Sequence, residues 1–207
     1  MTTFDWIAAA TIIGSMLYLS LVLTLPQWMQ AVRKGEGVAL WPQREDRQVS
    51  WWKQALMMLV GIGMGWLLFR YLWFPFVRYP ESWGIVIRIV GLSLYLDGFV
   101  FMMWARRTLG RNWGISTSLQ AKLRADHELV QNGPYALVRH PMYFGALVLS
   151  IGSVLVFPTW VVLILCVSMM FSLTMRAGRE EAVLAERFGE AWERYKRRTR
   201  FMIPFVW

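Results

Sequence analysis

Residues 143–175 read YFGALVLSIGSVLVFPTWVVLILCVSMMFSLTM, more than thirty positions without a charged side chain. At about 1.5 Å per residue, one helix of that length would overrun the ~30 Å hydrocarbon core of a bilayer. The interruption falls at Phe157-Pro158-Thr159, where proline removes a helical donor. The stretch therefore predicts a tight hairpin of two short membrane helices.

Just upstream the character reverses. Residues 127–145, His127-Glu-Leu-Val-Gln-Asn-Gly-Pro-Tyr-Ala-Leu-Val-Arg-His-Pro-Met-Tyr-Phe-Gly145, hold both histidines of the chain, with two prolines, two glycines and two tyrosines. Gly133-Pro134 is a turn signal, and Pro141 pushes His140 out of helical geometry. This predicts a shaped loop that enters the membrane at Tyr143. Imidazoles and phenols gathered in one loop of an apolar protein point to a polar ligand. Taken singly, each residue also fits a plainer role, His127 as a cap and Tyr135 and Tyr143 as interfacial anchors.

Composition agrees with a membrane protein. Of 207 residues 57% are hydrophobic, with thirteen Trp, thirteen Met and only 17% charged, and the mean hydropathy is +0.39. These values exceed those of an ordinary soluble domain. The net charge of +9 lies in the segments between apolar runs and no nucleic-acid-binding module accompanies it, so nucleic acid is not an expected partner. One cysteine, Cys166, excludes an internal disulfide and a cysteine metal cluster, and no metal is expected.

Three further spans precede the hairpin. The first runs from about Trp6 to Leu25 and is read as a retained helix rather than a cleaved leader, being too long for a signal peptide's apolar core. Spans two and three cover about Ala55–Phe76 and Trp83–Trp104, joined by residues 77–82. Between spans one and two, residues 26–54 carry Trp28, Trp41, Trp51 and Trp52 and read as an interfacial segment. The expected fold is thus an all-α integral membrane protein of about five spans. It would form one domain, with three N-terminal spans in 1–104 and the functional region in 105–207.

Basic residues orient it. Residues 26–54 carry five Lys/Arg, 105–142 carry six, and the tail from Arg176 carries eight. Five spans put all three segments on one side, which the positive-inside rule makes cytoplasmic, with the N-terminus outside. Within spans, Arg70 and Arg88 are expected to snorkel to the outer interface. Asp97 either pairs with a neighbouring helix or lines a polar cavity. Gly61-Ile-Gly-Met-Gly65 lacks the strand of a nucleotide-binding loop and is read as a site of close helix packing. In the tail, Val183, Leu184, Phe188, Ala191, Trp192 and Tyr195 recur at helical spacing, predicting a C-terminal amphipathic helix over 176–195. Arg176 and Glu180 share one face of it, where the last span leaves the membrane on the loop's side.

Together these motifs resemble a known family. His127-x-Leu-Val-x-x-Gly-x-Tyr135, Arg139-His-Pro-x-Tyr143-x-Gly145, Arg176-x-x-x-Glu-Glu181, Phe188-Gly189 and Ile203-Pro204 are similar to isoprenylcysteine carboxyl methyltransferases. Phospholipid N-methyltransferases share the looser pattern. The resemblance covers about Leu109 to the C-terminus and implies an S-adenosylmethionine-dependent membrane methyltransferase with its cofactor on the cytoplasmic side. It implies cofactor contacts from Gln120, His127, Glu128, Leu129, Val130, Tyr135, Arg139, His140, Pro141, Met142, Tyr143, Glu180 and Glu181. Arg176 would orient the acceptor and, with Glu180, form the catalytic pair; Pro42 and the glycines would be structural. The implied acceptor is a lipophilic carboxylate, a small molecule or a prenylated substrate arriving through the membrane lipids. A thiol, a phospholipid amine or another isoprenoid is the alternative, and from a different class, a nicotinamide-dependent sterol-type reductase.

The residue types suit such a cofactor. A carboxylate matches an ammonium or ribose hydroxyl, and His, Gln and backbone amides match the other polar groups. Direct methyl displacement needs no covalent enzyme intermediate, so positioning supplies much of the acceleration. A carboxylate acceptor needs no general base, whereas an amine must lose a proton to His or Glu.

Overall fold

The computed structural model describes residues 2–19, 21, 51–72, 74–112 and 128–204. Six α-helices occupy most of them: α1 (Thr3–Tyr18), α2 (Trp51–Leu72), α3 (Glu81–Leu109), α4 (Pro141–Val156), α5 (Trp160–Phe188) and α6 (Glu190–Arg198). Short 3-10 turns cover Gly110–Asn112 and Gly133–Ala136. Among the described residues β-structure is limited to two isolated bridges, Pro75 with Thr159 and Val138 with Arg200. The end of span one, the interfacial reading of residues 26–50, Pro42, Gln120 and His127 lie outside the described residues.

Among the described residues two helices, α3 and α5, are long and apolar enough to cross a membrane. Their outward faces carry large exposed apolar groups, Trp83 and Val100 on α3 and Leu165 and Phe171 on α5. Aqueous solvent would not favour such surfaces.

The core of the fold is the α3–α4 seam. Gly91 and Gly98 on α3 are seven residues apart, as are Gly145 and Gly152 on α4. Each lies on the shared face, antiparallel to its partner. A Cβ at Gly98 would stand 2.5 Å from the Leu149 amide nitrogen, and one at Gly145 would stand 2.9 Å from the Gly98 carbonyl. Nothing larger than glycine fits there, which lets the backbones touch and extends van der Waals contact along the seam. Ser150 and Ser153 lie buried on α4 and donate to the carbonyls of Ala146 and Leu149 in their own helix, at 2.7 and 2.9 Å. The sequence reading placed such packing at Gly61, Gly63 and Gly65 instead. Among the described residues no atom comes within 4 Å of a Cβ at any of them, so that packing is not seen here.

Helix α1 opens with a capping box, the Thr2 amide on Asp5 at 2.7 Å and the Asp5 amide on the Thr2 hydroxyl at 3.3 Å. Asp5 also receives Arg88 of α3 at 2.6 Å. Arg88 therefore does not simply snorkel: a carboxylate from the first helix meets it. Further along, the hydroxyls of Ser15 and Tyr95 hydrogen-bond across the same pair of helices. Asp97 is exposed on α3.

The break at Phe157-Pro158-Thr159 is present and is stitched to the segment that follows α2. Phe76 donates to the Pro158 carbonyl at 3.0 Å and Trp160 to the Phe74 carbonyl at 3.3 Å. Helix α4, at 16 residues, is short as expected. Helix α5 is not. It runs 29 residues without interruption, about 43 Å at the α-helical rise, and so absorbs positions 176–188 of the expected amphipathic tail. Gly178 is accommodated inside it, because a helical glycine weakens a helix without ending it. The chain turns only at Gly189, whose φ of +49° suits a residue without a Cβ. The separate nine-residue α6 then folds back, burying Trp192 and Tyr195.

Candidate active site

Loop 128–140 is clamped from two sides. Asn112, buried at the end of α3, accepts the Glu128 amide at 3.1 Å. Gly133 has a φ of +55°, and a Cβ there would meet the Thr108 hydroxyl at 3.1 Å, so the loop turns directly beneath the end of α3. From the other side, Tyr195 of α6 donates to the Tyr135 carbonyl at 2.8 Å and Arg198 to the Gln131 amide oxygen at 2.7 Å. The loop then runs parallel to the chain beyond α6. Arg200 donates to the Leu137 carbonyl at 3.1 Å, Arg139 to the Arg200 carbonyl at 2.8 Å, and His140 to the Phe201 carbonyl at 3.1 Å.

This pairing aims the next three side chains. His140 is the N-cap of α4, held off helical geometry at φ −120°, ψ 60°, and Pro141 is the first helical residue. The Tyr143 and Phe144 amides return to the His140 carbonyl, each at 3.1 Å. The His140 ring stacks parallel on Tyr143, centroids 5.3 Å apart, and meets the edge of Phe201 at 5.0 Å.

Opposite them, α5 presents Arg176, Glu180 and Glu181. Consecutive residues on a helix point about 100° apart, so the two carboxylates diverge. Glu181 receives the Arg139 Nε–H at 2.6 Å and lies 3.3 Å from His140 Nε2. Glu180 accepts the Tyr143 hydroxyl, which is 2.9 Å from both its oxygens, and the Arg176 Nε–H at 2.8 Å. His140 Nδ1 stands 3.8 Å from Glu180, so the imidazole lies between the two carboxylates. Glu180 keeps 22% of its side chain exposed and Arg176 keeps 32%.

Burial raises the Glu181 pKa, but the hydrogen bonds from His140 and Arg139 and the Arg139 charge outweigh it, leaving the carboxyl below its ordinary value. Burial pushes the Tyr135 phenol up, reinforced by Tyr195 and the Glu180 charge and opposed by Arg106. Tyr195 is likewise raised, chiefly by burial. Both phenols stay protonated at any physiological pH, and Tyr195 donates its proton in a hydrogen bond.

Of the residues singled out in sequence, Arg139, His140, Tyr143, Arg176, Glu180 and Glu181 converge in one cluster. Tyr135 is buried beside it, within electrostatic reach of Glu180. Pro141 is buried as the start of α4 and Met142 is half-buried in its first turn. Glu128, Leu129 and Val130 lie on the stretch anchored by Asn112 and Arg198. Sequence reasoning missed Asn112, Gln131, Tyr195 in its loop-holding role, Arg198, Thr199 and Phe201. Asn112 carried a faint signal, following the helix-ending Gly110; the segment after α6 has no periodicity to betray its pairing with the loop.

A family model described as phospholipid methyltransferase matches residues 86–191, just over half of the chain. The chain belongs to the phospholipid methyltransferase family. The matched region begins inside α3, upstream of about Leu109 where the resemblance begins, and takes in the α3–α4 seam together with the glutamate cluster. Among curated relatives, the chain is 26% identical over 147 residues to protein-S-isoprenylcysteine O-methyltransferase of Schizosaccharomyces pombe, covering 61% of this chain and 60% of that protein. It is 32% identical over 131 residues to the Xenopus laevis enzyme of that name, covering 62% of this chain and 44% of the other. A probable protein-S-isoprenylcysteine O-methyltransferase of Oryza sativa subsp. indica is 30% identical over 133 residues, covering 63% and 67%. The chain therefore spans about half to two thirds of these relatives. A solved structure of a eukaryotic intramembrane Ras methyltransferase, isoprenylcysteine carboxyl methyltransferase, shares the fold: TM-score 0.51 and 23% identity over 96% of this chain and 68% of the other.

Proposed function

We propose that this protein is an integral membrane methyltransferase that uses S-adenosylmethionine to methylate a lipophilic carboxylate, as the names of its relatives suggest. The observation that supports this best is the junction of Arg139-His140-Pro141-x-Tyr143 with Arg176-x-x-x-Glu180-Glu181, where two distant motifs form one cluster of charge-assisted hydrogen bonds. The family match favours methyl transfer over nicotinamide-dependent reduction. In this reading the chain is one domain of five spans, α1 to α5, with its N-terminus outside and the cluster on the cytoplasmic side.

The residues present fit the cofactor. Glu180, carboxylate and partly exposed, suits an ammonium or a ribose diol. Tyr135, His140–Tyr143 and the Glu128–Val130 stretch would complete the pocket, with Gln120 and His127. When bound, the cofactor supplies an electrophilic methyl group on a sulfonium. The protein's own part is placement and charge. Arg176, a third exposed, would hold the acceptor carboxylate by one or two charged hydrogen bonds. Glu180 fixes that guanidinium through Nε at 2.8 Å, linking the acceptor contact to the cofactor contact. A water-poor site at the membrane edge favours the step because carboxylate and sulfonium lose their charges together. No proton has to move, so no base is required.

A phospholipid amine is the second reading, favoured by the description of the family model. There His140, lying between two carboxylates, is the group placed to take the proton.

Calorimetric titration of detergent-purified protein with S-adenosylmethionine tests the first step. Saturable binding that Glu180→Gln weakens at least tenfold without unfolding supports the reading. No binding by well-folded wild type overturns it.

A further inference from the structure

The resemblance puts Arg139, Glu180 and Glu181 together in one cofactor-binding set. Their surroundings divide them. We propose that Glu180 alone of the adjacent glutamates faces the ligand, whereas Glu181 and Arg139 form a positioning pair that locks the His140 ring to the segment beyond α6. What Glu180 binds rests on the methyltransferase reading above; the pairing of Arg139 with Glu181 does not.

Three observations carry the division. Arg139 is turned into the protein, its side chain 9% exposed. Its Nε donates to Glu181 at 2.6 Å, and its Nη1 donates to the carbonyls of Thr199 at 2.7 Å and Lys196 at 3.3 Å. Those carbonyls end α6, where no helical partner remains for them. Arg139 thus caps α6 and pairs with α5 through its guanidinium, while its main-chain amide donates to the Arg200 carbonyl. The guanidinium also lies over the Phe201 ring, 5.8 Å from its centroid.

Glu181 is tied into the same frame through one oxygen. A single oxygen, Oε1, takes both the Arg139 Nε–H and the approach of His140 Nε2. Held there, it favours the imidazole tautomer with the proton on Nε2. Nδ1 then turns a lone pair toward Glu180 Oε2, 3.8 Å away. Two acceptors side by side are satisfied by a donor from a ligand, such as an ammonium or hydroxyl. The two carboxylates are about equally exposed, 22% for Glu180 and 17% for Glu181, but their arginine partners are not: Arg176 beside Glu180 is 32% exposed, whereas Arg139 beside Glu181 is 9%. The segment from Thr199 to Phe201 becomes part of the site without touching a ligand: it backs the loop, and Phe201 packs on His140.

The test combines two measurements on Glu180→Gln, Glu181→Gln, Arg139→Gln, Arg139→Lys and the double variant Arg139→Gln/Glu181→Gln. One is amide hydrogen exchange of residues 137–140 and 199–202, read without any ligand. The other is the affinity for S-adenosylmethionine. Glu181→Gln and Arg139→Gln should each speed exchange in both segments and weaken binding by about tenfold, with the double variant no worse than either alone. Arg139→Lys, which keeps the charge but not the fork, should fall between wild type and Arg139→Gln. Glu180→Gln should leave exchange at the wild-type rate while weakening binding by about a hundredfold. Should Arg139→Gln fail to fold, Arg139→Lys and Glu181→Gln still decide the matter. Unchanged exchange in Glu181→Gln, or losses from Arg139 and Glu181 that add, would overturn the pairing. Wild type that binds no S-adenosylmethionine would sink the methyltransferase reading, while the exchange measurement would still decide the pairing.

Discussion

The Tyr143 hydroxyl lies 2.9 Å from each carboxylate oxygen of Glu180, joining the first turn of α4 to the C-terminal part of α5. One proton serves two acceptor atoms, the Arg176 guanidinium adds a further contact at 2.8 Å, and the carboxylate stays partly exposed. The orientation of Glu180 is thereby set before any ligand arrives.

Tyr143→Phe removes that hydrogen bond while keeping the ring that stacks on His140. A hydrogen bond to a charged group contributes about 1.5–3 kcal/mol, so affinity for S-adenosylmethionine should fall at least tenfold. Titration calorimetry reads this, and a near-native unfolding temperature would separate it from a packing defect.

Arg176→Gln should discriminate acceptors. If its guanidinium holds an acceptor carboxylate, kcat/KM toward an S-prenylated cysteine should drop about a hundredfold, the cost of one or two charged hydrogen bonds. Turnover of a neutral thiol acceptor should change far less. Equal losses on both acceptors would assign Arg176 to holding Glu180 instead.

The α3–α4 seam makes a prediction about stability. Gly98→Ala places a methyl group 2.5 Å from the Leu149 nitrogen and should destabilise the protein by about 1–3 kcal/mol. Gly63→Ala meets open space among the described residues and should be neutral or slightly stabilising, by up to about 1 kcal/mol. Thermal unfolding in one detergent compares them directly.

That contrast shows what the sequence discloses and what it hides. Three glycines within five residues draw attention to Gly61–Gly65, yet spacing alone does not say which helix lies opposite. Gly91 and Gly98 acquire meaning only when Gly145 and Gly152, dozens of residues later, come to face them. The turn at Phe157-Pro158-Thr159 was legible because proline acts locally. The continuity of α5 past Met175 was not, because a change from apolar to charged residues marks a change of solvent rather than a helix end. The same division holds at the site. Arg139-His140-Pro141-x-Tyr143 and Arg176-x-x-x-Glu180-Glu181 stand out by residue type. Thr199 and Phe201 contribute through backbone carbonyls and a ring edge, which any sequence of suitable shape would supply.

Acid should loosen the frame through Glu181. Its pKa lies below the ordinary carboxylate value in the folded protein, so it contributes stability above that value and loses it as pH falls through the depressed pKa. The unfolding temperature of wild type should therefore fall more steeply below about pH 4.5 than that of Glu181→Gln, which has no such proton to gain. Parallel profiles would mean that the Arg139 pair contributes nothing to folding.

The most direct test of carboxyl methylation is transfer of a labelled methyl group from S-adenosylmethionine to an S-prenylated cysteine by the protein in lipid nanodiscs. The expected result is a base-labile methyl ester formed by wild type and nearly absent with Glu180→Gln. Well-folded wild type that forms no ester would contradict the proposed activity.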